Sequence, residues 1–129
     1  MASLEYPQLR EQLFSVVKGL TEEGLQQRFW LGGDPDRPPT FPSSFEWVRE
    51  ALYDYQDFRQ PNACVGELLY DERERQAIVE LLDRIDDIGI EGYEPDEKFL
   101  NHPAWPKVVE AARKAHAVFK EGDEKYSTG

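Results

Sequence analysis

Apolar residues recur along this chain mostly at intervals of three and four, a period that predicts helices. Leu9, Leu13, Val16, Val17 and Leu20 form the inner face of a first helix over 7–20, opened by Pro7. Thr21 reads as the cap of a second helix, with Glu22 and Glu23 in its first turn, Leu25 and Phe29 inward, and Trp30 and Leu31 continuing as a short extended stretch. Gly32 to Ser43 is a loop, because its prolines and glycines exclude regular structure. Ser43 and Glu46 read as a capping box for a third helix over 44–57. This helix carries two apolar stripes, one of Phe45, Val48, Leu52 and Tyr55, the other of Trp47, Ala51, Asp54 and Phe58. A helix apolar on two sides is either deeply buried or used twice, once for the core and once for a partner.

Cys64 to Tyr70 reads as a short strand with a bulge or close approach at Gly66. Asp71 and Glu74 cap a fourth helix over 72–89, whose Ile78, Leu81, Leu82, Ile85 and Ile88 make it the central core element. Gly89 to Asn101 reads as irregular, anchored by Phe99 and Leu100. The phrase from His102 to Pro106 opens a closing helix over 103–119, with Trp105, Val108, Val109, Ala112 and Phe119 on its inner face. Residues 121–129 read as a frayed tail. The expectation is one mainly α domain over 1–129 (minor α+β character), with a core over about 6–120, four to five helices and one or two short strands, packed around the 72–89 and 103–119 helices.

Charge changes this picture more than composition does. The 129 residues carry a formal net charge of -11, and residues 64–99 hold 12 acids against 4 bases. Such acidity argues against nucleic acid as a partner, since phosphate backbones are held by Lys and Arg. It also repels anionic membrane surfaces, and no apolar run approaches the ~20 residues of a membrane span. It suits a basic protein partner, because complementary fields speed encounter and reject wrong partners. Simple solvation of the surface is the competing account. The single Cys64 rules out a disulfide framework within the chain, and Met1 to Glu5 show neither a basic flank nor an apolar run, so a cytoplasmic protein is expected.

Candidate chemistry is sparse. Gly32-Gly33 lacks the Gly-Lys-Ser/Thr of a phosphate loop. Cys64 has no partner signature and reads as a small buried hydrophobe. The acids Glu91, Glu94, Asp96 and Glu97 lack calcium-loop spacing, and the fourteen-residue gap between His102 and His116 is not that of two ligands on one turn. No metal, cofactor or catalytic residue is assigned and no enzyme is expected; a small-molecule enzyme would need a deep pocket lined by Tyr53, Tyr55 and His116. One local rule is broken: Asp86 and Asp87 stand at the C-terminal end of a helix, where the dipole disfavours anions, and Asp83 repels both. Fraying, or lysines of the last helix, would relieve this; otherwise such inconsistencies mark functional surfaces.

Three phrases stand in a fixed order: Leu20 to Trp30, Val65 to Leu69 ahead of Asp71, and the His-Pro-x-Trp-x-x-Val run from His102 to Val108. Together they resemble a family of small, acidic, uncharacterised bacterial proteins, mostly actinobacterial, over about residues 9–119. The resemblance implies a soluble cytoplasmic domain and brings no functional residues with it. The reading reached from the residues is a non-enzymatic protein-binding protein, an inhibitor of the immunity or antitoxin type that turns an acidic face to a basic protein such as a toxin. Trp47, Asp54, Asp57 and Phe58 would anchor that face, with Asp83, Asp86 and Asp87 supplying charge. The alternative is an accessory or regulatory domain that self-associates through the aromatic helix 44–58, and the sequence leaves monomer and homodimer open.

Overall fold

A computed structural model describes residues 4–53, 58–89 and 94–127. Its described residues form six α-helices: α1 (Pro7–Leu20), α2 (Glu23–Gln26), α3 (Phe45–Tyr53), α4 (Glu72–Asp86), α5 (Asp96–Leu100) and α6 (Trp105–Ser127). A single π-helical turn, Gln27–Leu31, prolongs α2, in place of the expected extended stretch. α6 is the spine, packed along α4 on one side and α1 on the other.

The apolar periodicities place the core as expected. Val16, Val17, Leu20, Val48, Leu52, Ile78, Leu81, Val108 and Ala112 are all fully buried. Trp105 is 2% exposed and meets Phe45 edge-on, with ring centroids 4.9 Å apart. Its indole N–H donates to Gln26 Oε1 at 3.0 Å, and the Gln26 amide donates on to the Gly19 carbonyl at 2.9 Å. Two polar groups of the interior are thereby satisfied together. Gly19 is required there, because a Cβ would stand 2.7 Å from Pro42 Cδ.

The segment expected as a strand is a run of turns, and among the described residues there is no strand. Asn62 and Cys64 have φ of 60° and 63°, and Gly66 has φ of 88°, values that no extended strand tolerates. The Cys64 carbonyl accepts from the amides of Glu67, Leu68 and Leu69, and only an isolated bridge joins Val65 to Leu69. Residues before α1 lie across this knot, with the Glu5 and Tyr6 amides donating to the Gly66 and Glu67 carbonyls.

The caps shift by small steps. Thr21 does not cap α2; its hydroxyl donates back to the Lys18 carbonyl at the end of α1. Ser44, not Ser43, receives the Trp47 amide at 3.1 Å and caps α3, while Asp96 reaches across from α5 to accept from the Phe45 amide at 3.2 Å. Residues 54–57 of the expected third helix lie outside the described residues. Asp71 caps α4 as expected, accepting from the Glu74 amide at 3.0 Å. α4 stops at Asp86, and Gly89 beyond it has φ of 73°. Part of the segment read as irregular forms the short α5.

The largest difference is at the far end. α6 runs to Ser127, so the expected frayed tail is helical through its last described turns. It starts at Trp105, leaving Pro103 ahead of the helix and Pro106 at its second position, where no intrahelical amide bond is lost.

Candidate functional site

The outward face of α3 is the most exposed aromatic surface described. Phe45, Val48 and Leu52 point inward and fix the helix rotation, which turns Trp47 outward at 44% exposure. Glu46 precedes it and Glu50 follows at i+3, and both are exposed and make no ion pair among the described residues. Arg49, the cation of this helix, lies on another side, with its guanidinium 5.2 Å from the Phe99 ring. α1 supplies the facing wall through Leu9, Gln12 and Leu13. Between the two helices is an apolar pit of about 110 Å³, lined also by Trp47, Ala51, Phe58 and Leu68. A wider cleft of about 540 Å³ adjoins it, sharing Gln12 and Trp47 and bounded by Glu11 and the Pro-rich loop.

The sequence-predicted residues divide. Trp47 is on the surface. Phe58, expected beside it at an interface, is 1% exposed and belongs to the core, showing the solvent side only as the floor of the pit. Asp54 and Asp57 lie outside the described residues. Asp83, Asp86 and Asp87 are exposed but matched. Arg59 Nη2 donates to Asp83 Oδ1 at 3.0 Å and Asp86 Oδ2 at 2.6 Å, and Arg84 pairs with Asp87 at 2.9 Å. The clash of acids at the end of α4 is therefore answered by arginines, with Lys114 of the last helix engaged one turn earlier on Glu80 at 3.1 Å. Tyr53 joins the two surfaces, its hydroxyl donating to Asp86 Oδ1 at 2.7 Å. Burial and the neighbouring Asp86 carboxylate hold that hydroxyl well above its ordinary pKa.

Glu46, Glu50 and Glu11 are the charges that reading along the chain missed. Their signal was present, since Glu46 and Glu50 are four apart and flank Trp47, placing them together on a helix.

A further cleft, of about 650 Å³, is lined by Arg10, Tyr70, Phe14 and Asp123 among others. Its chemistry is already committed. All five N–H groups of the Arg10 guanidinium are spent: Nε on Asp123 at 3.0 Å, Nη1 on the Leu68 carbonyl and Glu74, Nη2 on Glu74 and the Phe119 carbonyl. Its faces lie against the Tyr70 and Phe119 rings at 4.3 and 4.9 Å. Burial works to lower the Arg10 pKa, and Glu74 and Asp123 together outweigh it and raise the value. Arg10 is thus a structural clasp with no donor left for a ligand.

The other titratable groups are also engaged. Burial, with the Glu67 charge, pushes the Cys64 thiol up to about 11, which keeps it protonated at neutral pH. His102 Nδ1 accepts from the Ala104 amide at 3.0 Å. His116 packs against Phe14 with ring centroids 4.8 Å apart and planes tilted by 41°, whereas Tyr53 is committed to α4; Tyr55 lies outside the described residues. Among the described residues no three His, Cys, Asp or Glu side chains gather as a metal site, and no helix is long and apolar enough to cross a membrane.

Residues 4–127 match the family described as a domain of unknown function, DUF7945. The chain belongs to that family. The DUF7945 match spans all six helices and both walls of the Trp47 pit. No curated protein and no solved structure matches the chain.

Proposed function

We propose that this DUF7945 domain is a non-enzymatic binding protein of the bacterial cytoplasm, an inhibitor of the immunity or antitoxin type that meets a basic protein with an acidic face. The observation that carries this reading is Trp47, exposed at 44% between Glu46 and Glu50, two acids with no ion pair among the described residues. A tryptophan left outside a well-filled core is the kind of anchor that dominates interface energies. Unpaired acids around it add steering and select against acidic competitors. Asp83, Asp86 and Asp87 join this face through Tyr53, in a lesser role, because Arg59 and Arg84 already balance most of their charge.

The test is a tagged capture from the source cells with the wild-type chain and with the triple variant Glu46→Gln, Trp47→Ala, Glu50→Gln, each washed at low and then high salt. We expect a stoichiometric basic protein on the wild type that salt releases, and at least a tenfold smaller yield on the variant. Equal recovery by both proteins sinks the reading. Recovery of nothing but the domain itself favours self-association through α3, which a concentration-dependent sedimentation profile then establishes.

A further inference from the structure

The pit beside Trp47 has a shape and a chemistry that narrow what enters it. We propose that it receives a single aliphatic side chain, of leucine or methionine size, from a basic segment of the partner, with a neighbouring Lys or Arg of that segment held over Trp47 and beside Glu50. The inference rests on the binding reading above and specifies how that face recognises its target.

Three features point to this occupant. The pit is walled by Leu9, Leu13, Ala51, Phe58 and Leu68, with Gln12 as its one polar side chain. On a scale where one water takes about 10–15 Å³, a volume of about 110 Å³ admits a branched aliphatic group, and the apolar lining offers water few partners. Trp47 forms the rim and exposes 44% of its surface, so a cation can lie over its ring. The lining of the pit itself is uncharged, and the charges next to it are mixed, with acids in excess: Glu50 and Glu11 against Arg37. Glu50 stands one turn from Trp47, and Glu11 borders the cleft that continues from the pit past Trp47. The cation of that cleft, Arg37, is turned onto the Pro38 and Phe41 carbonyls of its own loop. An apolar hole beside an exposed tryptophan, with the acid Glu50 one turn along the helix, complements an apolar residue followed by a base. It disfavours an acidic segment, and it disfavours a second copy of this chain, whose matching face carries the same negative charge.

The experiment uses the ¹⁵N-labelled 129-residue chain and a synthetic nonapeptide with one central leucine between pairs of lysines. A control peptide carries serine in place of the leucine. Amide and indole resonances are followed through a titration that reaches millimolar peptide at low salt. We expect shifts at the Trp47 indole and at the amides of residues 9–13 and 47–52, with the buried Trp105 indole unmoved. The serine peptide should bind about tenfold more weakly or worse, because the buried leucine side chain is lost. Ala51→Leu fills the pit from a half-buried helix position. It should abolish the leucine preference while leaving the Trp105 indole resonance in place, which reports an intact fold.

Equal binding of the two peptides, shifts confined to the Asp83–Asp87 surface, or no shifts at all overturn the proposal. Movement of the same resonances with protein concentration alone overturns it in favour of a second copy. Testing Ala51→Leu in the cell capture separates the two levels. If the basic partner is lost from the triple variant but kept by Ala51→Leu, the acidic-face reading stands and the pit inference falls. If the triple variant keeps it too, both fall.

Discussion

Arg10 and Glu74 carry the sharpest consequences of any single pair. Glu74 is 1% exposed, and Arg10 supplies its cation at 2.8 Å. Removing one member of a buried pair leaves the other charge uncompensated, so Arg10→Met should cost about 3–5 kcal/mol in urea unfolding. Arg10→Met combined with Glu74→Gln removes both charges and keeps an acceptor for the Tyr70 amide, so its loss should be smaller than that of Arg10→Met alone. His116 gives a pH signature. Burial, with Lys120 and Lys18 nearby, holds its imidazole below the ordinary value, and Glu22 opposes them weakly. The unfolded chain therefore takes up a proton before the folded chain does. Stability should be intact above the unfolded value of about 6.5 and fall as the pH drops from there toward the lower folded value. His116→Phe, which keeps the contact with Phe14, should flatten that part of a plot of urea midpoint against pH. Individual residues were legible when their partners are close in sequence, as for Asp71 on the Glu74 amide. The clasp was not, because Arg10 finds its acceptors 58 to 113 residues away.

At the scale of elements, α6 differs most from its sequence pattern. Past Phe119 the chain is mostly polar, which reads as fraying, yet these turns are held by side chains from elsewhere. Asp123 takes the Arg10 Nε bond, Tyr126 donates to Asp71 Oδ2 at 2.9 Å, and its ring stacks on Tyr70 at 4.9 Å. Ending the chain after Lys120 should therefore cost about 2–4 kcal/mol in urea unfolding, where loss of a frayed tail would cost nothing measurable. Gly122 shows how closely this end is fitted, since a Cβ there would lie 2.1 Å from Glu74 Oε2. The helices α1 and α4 were readable because each has one inward stripe at helical period, whereas α3 has two apolar stripes and only its packing shows that Phe45, Val48 and Leu52 face in. The misread strand followed from backbone angles at Asn62 and Cys64 that side-chain alternation does not encode.

Across the whole molecule, the helical class and the pairing of α4 with α6 followed from periodicity, because those stripes bury most of the core. The layout of charge did not. Counting along the chain put the acidity in residues 64–99, but folding brings Arg10, Arg59 and Lys114 from other segments onto the acids of α4. Among the described residues, Glu46 and Glu50 of α3 and Glu11 of α1 make no ion pair. The exposed pairs of Arg59 and Lys114, unlike the buried Arg10–Glu74 pair, contribute little to stability, about 0–1 kcal/mol each, so their main effect is to redistribute the field that a partner meets. The clasp also bears on how the molecule is made. Arg10 leaves the ribosome early, whereas two of its five bonds go to Phe119 and Asp123. A translation product halted before Phe119 holds its first helix by an unfinished lock. Pulse proteolysis of such a product should therefore cut it faster than the chain that carries Phe119 and Asp123.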